Sequence, residues 1–331
     1  MKPNQSTTIV VDVGGRYGMH PSWSAFAGEL LYLTFEPDAE EAERLRQRNS
    51  RPGFEVVELA LAKAEGERDF YLTKHRGYCS FYPPNLDSEW FKRYRPGEGE
   101  IESVIRVKTS SLDSLTSDRK IDIDFLKIDT EGSELEILEG AKRQISSNVL
   151  GMRVEVLFDE IYKHVPLFPE IFNHLQARDF FLLNLDYFGR GVPRHALFRN
   201  PNPLVPDNDR YGALIGTDGV WLRKYDWVCD RYKGESLEFA TLKYAYFCML
   251  NNAPDVALDT LMSFVATNNF SPSTVASKIY CSLRRICAEY LGRYRVNPED
   301  VQWEMACSML DKIFGLELEA GNKYWELIQS L

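Results

Sequence analysis

From residue 9 onward, short apolar runs alternate with helical patterns, which restricts the chain to an α/β fold: a mostly parallel sheet covered by helices on both faces. Ile9–Val13 is an apolar run that ends at Gly14-Gly15, and Pro21 then suits the first turn of a helix. Leu31–Phe35 is a second strand, followed by a charged helix over Asp38–Asn49 and a third strand near Phe54–Leu59. Phe125–Ile128 is a fourth, with a helix over Ser133–Ile145 behind it. Met152–Phe158 and Phe180–Leu185 make a fifth and a sixth, and Ala213–Leu222 supplies a last, antiparallel strand. Residues 67–108 interrupt the series with a hairpin strand at Asp69–Thr73 and a loop through Pro83-Pro84 and Pro96-Gly97, long enough to be functional or mobile. Residues 189–212 are also rich in Gly, Pro and Asn. After Asp226 the strands stop. Glu235–Asn251, Pro254–Asn268, Ser273–Leu291 and Pro298–Ile313 follow helical spacing, with another helix at the C-terminus. The expected organisation is an α/β domain over 1–225 and an all-helical extension over 226–331, a cap or an element for self-association.

Three places carry chemistry. Asp12-Val13-Gly14-Gly15-Arg16-Tyr17-Gly18 follows a strand directly, and a glycine-rich turn lets a backbone approach a ligand closely at the carboxyl edge of such a sheet. The same glycines also suit a plain strand-to-helix turn. Phe35-Glu36-Pro37 ends the next strand, 18 residues beyond Gly18. A carboxylate at that point can accept both hydroxyls of a ribose, where a lone Glu elsewhere would be a solvated surface charge. Phe125-Leu-Lys-Ile-Asp129-Thr-Glu131-Gly132-Ser-Glu134 delivers carboxylates and a glycine to the same sheet edge. Acids crowded at a buried strand's end are costly to desolvate, which favours a site over structural use. Ser133 and Glu136 offer a capping box for the helix that follows.

Bulk properties narrow the partners. Hydrophobic residues make up 44% and charged residues 27%, enough for a core and for solubility. The formal charge of −10 argues against a nucleic-acid partner, since phosphate backbones are held by a surplus of Lys and Arg. Cys79, Cys229, Cys248, Cys281, Cys287 and Cys307 form no C-x-x-C pair, as suits reduced thiols. No run approaches the ~18 apolar residues a membrane helix needs, and the polar start of the chain is no signal peptide. A cytoplasmic protein without a transmembrane segment is expected.

The stretch Asp124–Ala141 resembles the most diagnostic segment of the FkbM family of methyltransferases, and further likeness lies in Phe35-Glu36-Pro37, Ala60-Leu61, Glu65-Gly66, Cys79-Ser80-Phe81 and Leu112-Asp113-Ser114-Leu115. The chain departs from the family pattern at Gly15-Arg16 and Thr130, and the helical tail lies outside the family core. The resemblance, over roughly Ile9 to Arg223, implies a Rossmann-like class I methyltransferase fold with a seven-stranded sheet and S-adenosylmethionine as cofactor. It implies that Asp12, Gly14 and Gly18, with Gly15 beside them, cradle the methionine part. Glu36 with Pro37 would hold the ribose, Ala60-Leu61 would border the adenine, and Asp129 would approach the amino group. For a hydroxyl acceptor the base candidates are Glu131 first, then His75, with Glu155 and His164 behind them. Asp129, Glu131 and Glu155 could alternatively hold a divalent metal, although carboxylates that share a site through hydrogen bonds need none, and no metal is expected.

The acceptor implied is a small molecule or saccharide: a hydroxyl of a sugar, a glycan or a glycosylated natural product. Tyr78, Phe81, Tyr82, Trp90, Phe91 and Tyr94 are available to stack on sugar rings or to pack the loop. Two other classes stand beside this one. A non-catalytic scaffold would have lost the cofactor residues, which are intact here. A nicotinamide-dependent oxidoreductase would carry G-x-G-x-x-G, which is absent.

Overall fold

The computed structural model describes residues 5–20, 23, 26, 29–49, 51–190 and 212–267. The helices expected over Ser273–Leu291 and Pro298–Ile313 and at the C-terminus, the helix start at Pro21 and residues 191–211 lie outside these residues. The described residues group into two units. One comprises Ile9–Met19 and Leu31–Lys224; the other draws on Met1–Thr8, His20–Leu30 and Tyr225–Leu331.

Among the described residues there are ten strands: β1 (Thr8–Val13), β2 (Leu30–Phe35), β3 (Phe54–Val57), β4 (Ala60–Leu61), β5 (Gly66–Thr73), β6 (Ile101–Ser110), β7 (Phe125–Ile128), β8 (Gly151–Leu157), β9 (Phe180–Arg190) and β10 (Leu214–Arg223). Seven of them form one sheet in the order β3-β2-β1-β7-β8-β10-β9. β1 runs parallel to β7, β7 to β8, and β2 to β3, whereas β10 is antiparallel to both β8 and β9. The central strands are largely apolar because both faces are covered: every residue of β1 is buried, and Val11, Ile128 and Val154 have no exposed surface. Their neighbours Leu126, Met152 and Val156 pack with Leu138, Ile145 and Leu175 from the helices into one core.

The helix expected over Ser133–Ile145 is two helices, Glu134–Gly140 and Lys142–Ser147. The break at Ala141 has a partner across the chain, for Asp113 accepts from Arg143 N (2.7 Å) and Gln144 N (3.1 Å) and so caps the second helix from outside. The expected capping box does not form, since Ser133 makes no side-chain cap bond. The Glu136 carboxylate is taken instead by Arg68 and by the Tyr82 hydroxyl. Asp113 belongs to a helix, Leu112–Arg119, that the apolar spacing does not reveal. A further helix spans Phe168–Gln176.

Residues 67–108 are far more ordered than a loop. β5 pairs antiparallel with β6 from Gly66–Thr109 to Thr73–Ile101, and β4 joins β6 to complete a three-stranded sheet. Much of β6 is exposed, so the apolar alternation that marks a strand is missing from its sequence. A short turn of helix at Arg76–Tyr78 and a π-helical turn at Trp90–Tyr94 lie between β5 and β6.

In the second unit the helices Tyr225–Arg231, Glu235–Leu250 and Pro254–Thr267 follow one another. Leu237, Ala240, Tyr244 and Phe247 are all buried, and so is nearly every other position from Ala240 to Met249. A helix buried all round is a central element. Here Tyr246 packs on Trp23 and Phe26, and the buried Lys243 ammonium donates to the Thr7 carbonyl at 2.8 Å.

One cation fastens the far end of the first unit. Arg223, the last residue of β10, is 1% exposed, donates to the carbonyls of Val149, Arg178 and Ile145, and lies over the Phe180 ring at 3.9 Å. Arg223→Met keeps the bulk and strands three acceptors, two of them buried, so urea denaturation should show a loss of about 3 kcal/mol or more. A loss below about 1 kcal/mol would show that those carbonyls find water instead.

Candidate functional site

The carboxyl edge of the sheet gathers at the turn after β1. Gly14 has φ +81, and a Cβ there would run into the Asp129 carbonyl at the end of β7. A Cβ on Gly15 would strike the Thr34 hydroxyl of β2. The turn is therefore glycine for close backbone approach. Asp12, just before it, is 1% exposed and takes the Tyr32 hydroxyl at 2.6 Å and the Lys127 ammonium at 3.1 Å. Lys127 also reaches Asp129 Oδ2 at 3.3 Å. Burial works to lower the lysine's pKa, but Asp12 and Asp129 overcome it and keep the ammonium charged.

Beyond Asp129 the backbone turns sharply. Glu131 holds a left-handed φ of +59, followed by Gly132 at +116. Such a conformation is unfavourable for a glutamate and persists only where the surroundings impose it. Ser80 Oγ donates to the Glu131 carbonyl at 2.6 Å, and Tyr162 donates its hydroxyl to Glu131 Oε2, also at 2.6 Å. Glu134 reaches back to the Thr130 amide and hydroxyl, both at 2.8 Å, and closes the turn from below.

Glu155 approaches from β8, and Asp218 stands opposite it in register on β10, held by Arg153. Oxygens of Asp129, Glu131 and Glu155 lie within 4.8 Å of one another, close enough to ligate one hard divalent cation. Burial is the largest cause that pushes Glu131 well above the ordinary carboxylate range, with the Asp129 charge behind it and the Tyr162 bond opposing. Burial first, then Glu131 and Asp129, raises Glu155, whose Oε2 is buried without a hydrogen-bond partner. Asp218 is raised as well, by burial and Asp129, against the pull of Arg153.

These groups face a cavity of about 330 Å³. Of the residues anticipated for cofactor and catalysis, Gly14, Glu36, Pro37, Ala60, Leu61, His75, Asp129, Glu131 and Glu155 all line it. Asp12, Gly15 and Gly18 do not: Asp12 sits beneath the turn in its bonds to Tyr32 and Lys127, Gly15 packs on β2, and Gly18 lies beside Leu45 and Asn49. His164 is placed away from the cavity, its side chain 93% exposed and 3.9 Å from Glu160. His75 is exposed, with Nδ1 accepting from the Gly77 amide at 3.3 Å and its ring on Tyr78.

Glu36 is 3% exposed and accepts from the Asp38 amide at 2.9 Å. Arg16, which departs from the family pattern, bends over it at 3.7 Å and reaches Asp38 at 3.2 Å. Burial lifts the Glu36 carboxyl to about 7, with Arg16 and the amide bond opposing. Of the aromatics, Tyr78 and Phe81 line the cavity, whereas Phe91 and Tyr82 pack beneath it and Tyr94 stacks outward on Trp90. Sequence reasoning missed Asp218 and Tyr162. A lone acid inside the otherwise buried β10 is a signal for Asp218; nothing in the sequence marks Tyr162.

The methyltransferase FkbM domain matches residues 12–182. Two solved structures are similar to part of the chain. One, a methyltransferase FkbM from Methylobacillus flagellatus KT, has 16% identity and a TM-score of 0.32 over 66% of this chain and 44% of its own. The other, a SAM-dependent methyltransferase from Anabaena variabilis ATCC 29413, has 9% identity and a TM-score of 0.33 over 66% of this chain and 77% of its own. The chain thus spans less than half the length of the first neighbour. No curated protein matches it.

The raised Glu36 value has a measurable consequence. A carboxyl whose folded-state value, about 7, lies above the ordinary 4.5 stabilises the fold below the ordinary value, and that contribution is lost as pH rises through 7. Glu36→Gln should therefore shift Tm upward at pH 8 relative to pH 5 when each is compared with wild type, by up to about 3 kcal/mol in unfolding free energy. A variant-minus-wild-type difference that is flat across that range would place the Glu36 titration elsewhere.

Proposed function

Since the chain belongs to the FkbM methyltransferase family, we propose that it methylates a hydroxyl of a sugar, a glycan or a glycosylated natural product with S-adenosylmethionine. The observation that carries this is the convergence of Gly14, Glu36, Asp129 and Glu131 on one cavity at the carboxyl edge of the parallel sheet.

The residues fit the cofactor. Gly14 leaves the backbone bare beside Asp129, whose carboxylate suits an ammonium group. Glu36, at the end of β2, is placed for ribose hydroxyls, and Ala60 and Leu61 give an apolar border for an adenine. The acid edge as a whole suits a molecule with a net positive charge. When bound, S-adenosylmethionine supplies a methyl already activated on a sulfonium, so the protein's own task is to aim the acceptor and take its proton.

Glu131 is the base. It lines the cavity, its side chain is fixed by Tyr162, and burial raises its pKa towards the range where a carboxylate becomes an effective proton acceptor. Glu155 is its reserve, and His75 stands on the exposed rim. The non-catalytic alternative loses ground because the cavity keeps every acid that faces it.

Glu131→Gln should cut turnover by ~10²–10⁴ and leave S-adenosylhomocysteine affinity within a few-fold. Wild-type turnover should climb as pH rises through the elevated Glu131 value, because only the ionised form accepts a proton. Both are read by S-adenosylhomocysteine release over a panel of saccharide acceptors, beside calorimetry. Equal losses of affinity and turnover would move Glu131 to the cofactor. Glu36→Ala should weaken S-adenosylhomocysteine by roughly ten- to a hundred-fold; unchanged affinity in the folded variant removes the ribose assignment.

A further inference from the structure

A second cavity, of about 180 Å³, opens on the other side of the acid cluster. Glu131, Glu155, Asp218 and Tyr78 line both cavities, so the two meet at the proposed base. Its volume is that of one ring, since a cavity of about 150 Å³ holds benzene. Trp90 and Tyr78, set edge to face at 86°, form an aromatic wall, and Ile215 and Leu157 add apolar surface.

The polar lining is one-sided. Three carboxylates face this cavity, and among the described residues that line it none is Lys, Arg or His. The first cavity, by contrast, has Arg16, Arg76 and His75 along its wall. Asp218 already has Arg153 as a partner, and Glu131 has the Tyr162 hydroxyl. Glu155 Oε2 has none. A carboxylate oxygen buried without a partner is costly unless a ligand supplies what it lacks. The acid calls for a cationic donor. An anionic group in the same space would face three acids with no cation to offset it.

We propose that the second cavity takes a single hydroxylated ring bearing an ammonium group, an amino sugar or aminocyclitol unit of the acceptor, with its ammonium on Glu155. This rests on the methyltransferase reading only for which hydroxyl meets Glu131. An amine held as ammonium by Glu155 has no lone pair to offer, so the methyl goes to oxygen and the hydroxyl proton goes to Glu131.

Calorimetry on the full chain tests it, with and without saturating S-adenosylhomocysteine, using D-glucosamine, D-glucose and D-glucuronate. Glucosamine should bind about ten-fold more tightly than glucose, and glucuronate should give no heat. Glu155→Gln, close in size, should bring glucosamine to the level of glucose, whereas Glu155→Asp, which keeps the charge, should retain the preference for the amino ring. Glucuronate binding as well as glucosamine, glucosamine unaffected by Glu155→Gln in the folded protein, or no heat from any ring overturns the assignment. A protein that binds glucosamine but not S-adenosylhomocysteine overturns the methyltransferase reading and leaves the cavity's ligand standing; the reverse result does the opposite.

Discussion

The Lys127 ammonium, clasped between Asp12 and Asp129, is the contact on which the site depends. It projects from β7, in the middle of the sheet, and Asp12 in turn takes the Tyr32 hydroxyl from β2. A chain of three polar contacts therefore fixes three strand ends that parallel pairing alone would leave free to splay. It also sets the local charge: with Arg153 and Arg16 it is set among acids that outnumber them, so that the edge as a whole seeks another cation. Removing the ammonium would leave Asp12 buried without its counter-ion, a far larger cost than the loss of one hydrogen bond.

Around that centre the small sheet of β4, β5 and β6 acts as a brace. Ser80 follows β5 and grips the Glu131 carbonyl, and Arg68 on β5 with Tyr82 seizes Glu136. The unfavourable backbone at Glu131 is thus maintained from a neighbouring layer. The segment Cys79-Ser80-Phe81, recognisable in the sequence only as a motif, acquires a mechanical reason: its serine points the glutamate.

What could be seen in the sequence followed from burial. β1, β2, β7 and β8 are covered on both faces, so they are mainly apolar runs, and the charged residues within and just after them stand out by contrast. Glu36, Asp129 and Glu131 were legible for that reason. β6 lies largely exposed, and Leu112–Arg119 buries little beyond Leu112 and Thr116, so neither carries a periodic signal. Glu136 illustrates a second limit. Local spacing favours a capping box, but a guanidinium 68 residues away offers a charged partner, and a contact across that separation leaves no mark on the local pattern. Asp218 depends in the same way on antiparallel register with β8, which only the assembled sheet defines.

That register has a bearing on how such an enzyme can diversify. Glu155 and Asp218 face each other from paired strands. The chamber between them is walled partly by the sheet's backbone ladder, which cannot lengthen or shift by one residue without turning every neighbouring side chain to the opposite face. Insertions in the connecting segments could widen or narrow the entrance, yet the electrostatic preference at the centre would persist. A change of charge in that chamber would therefore have to come from point replacement on the strands themselves, a slower route to novelty than loop exchange.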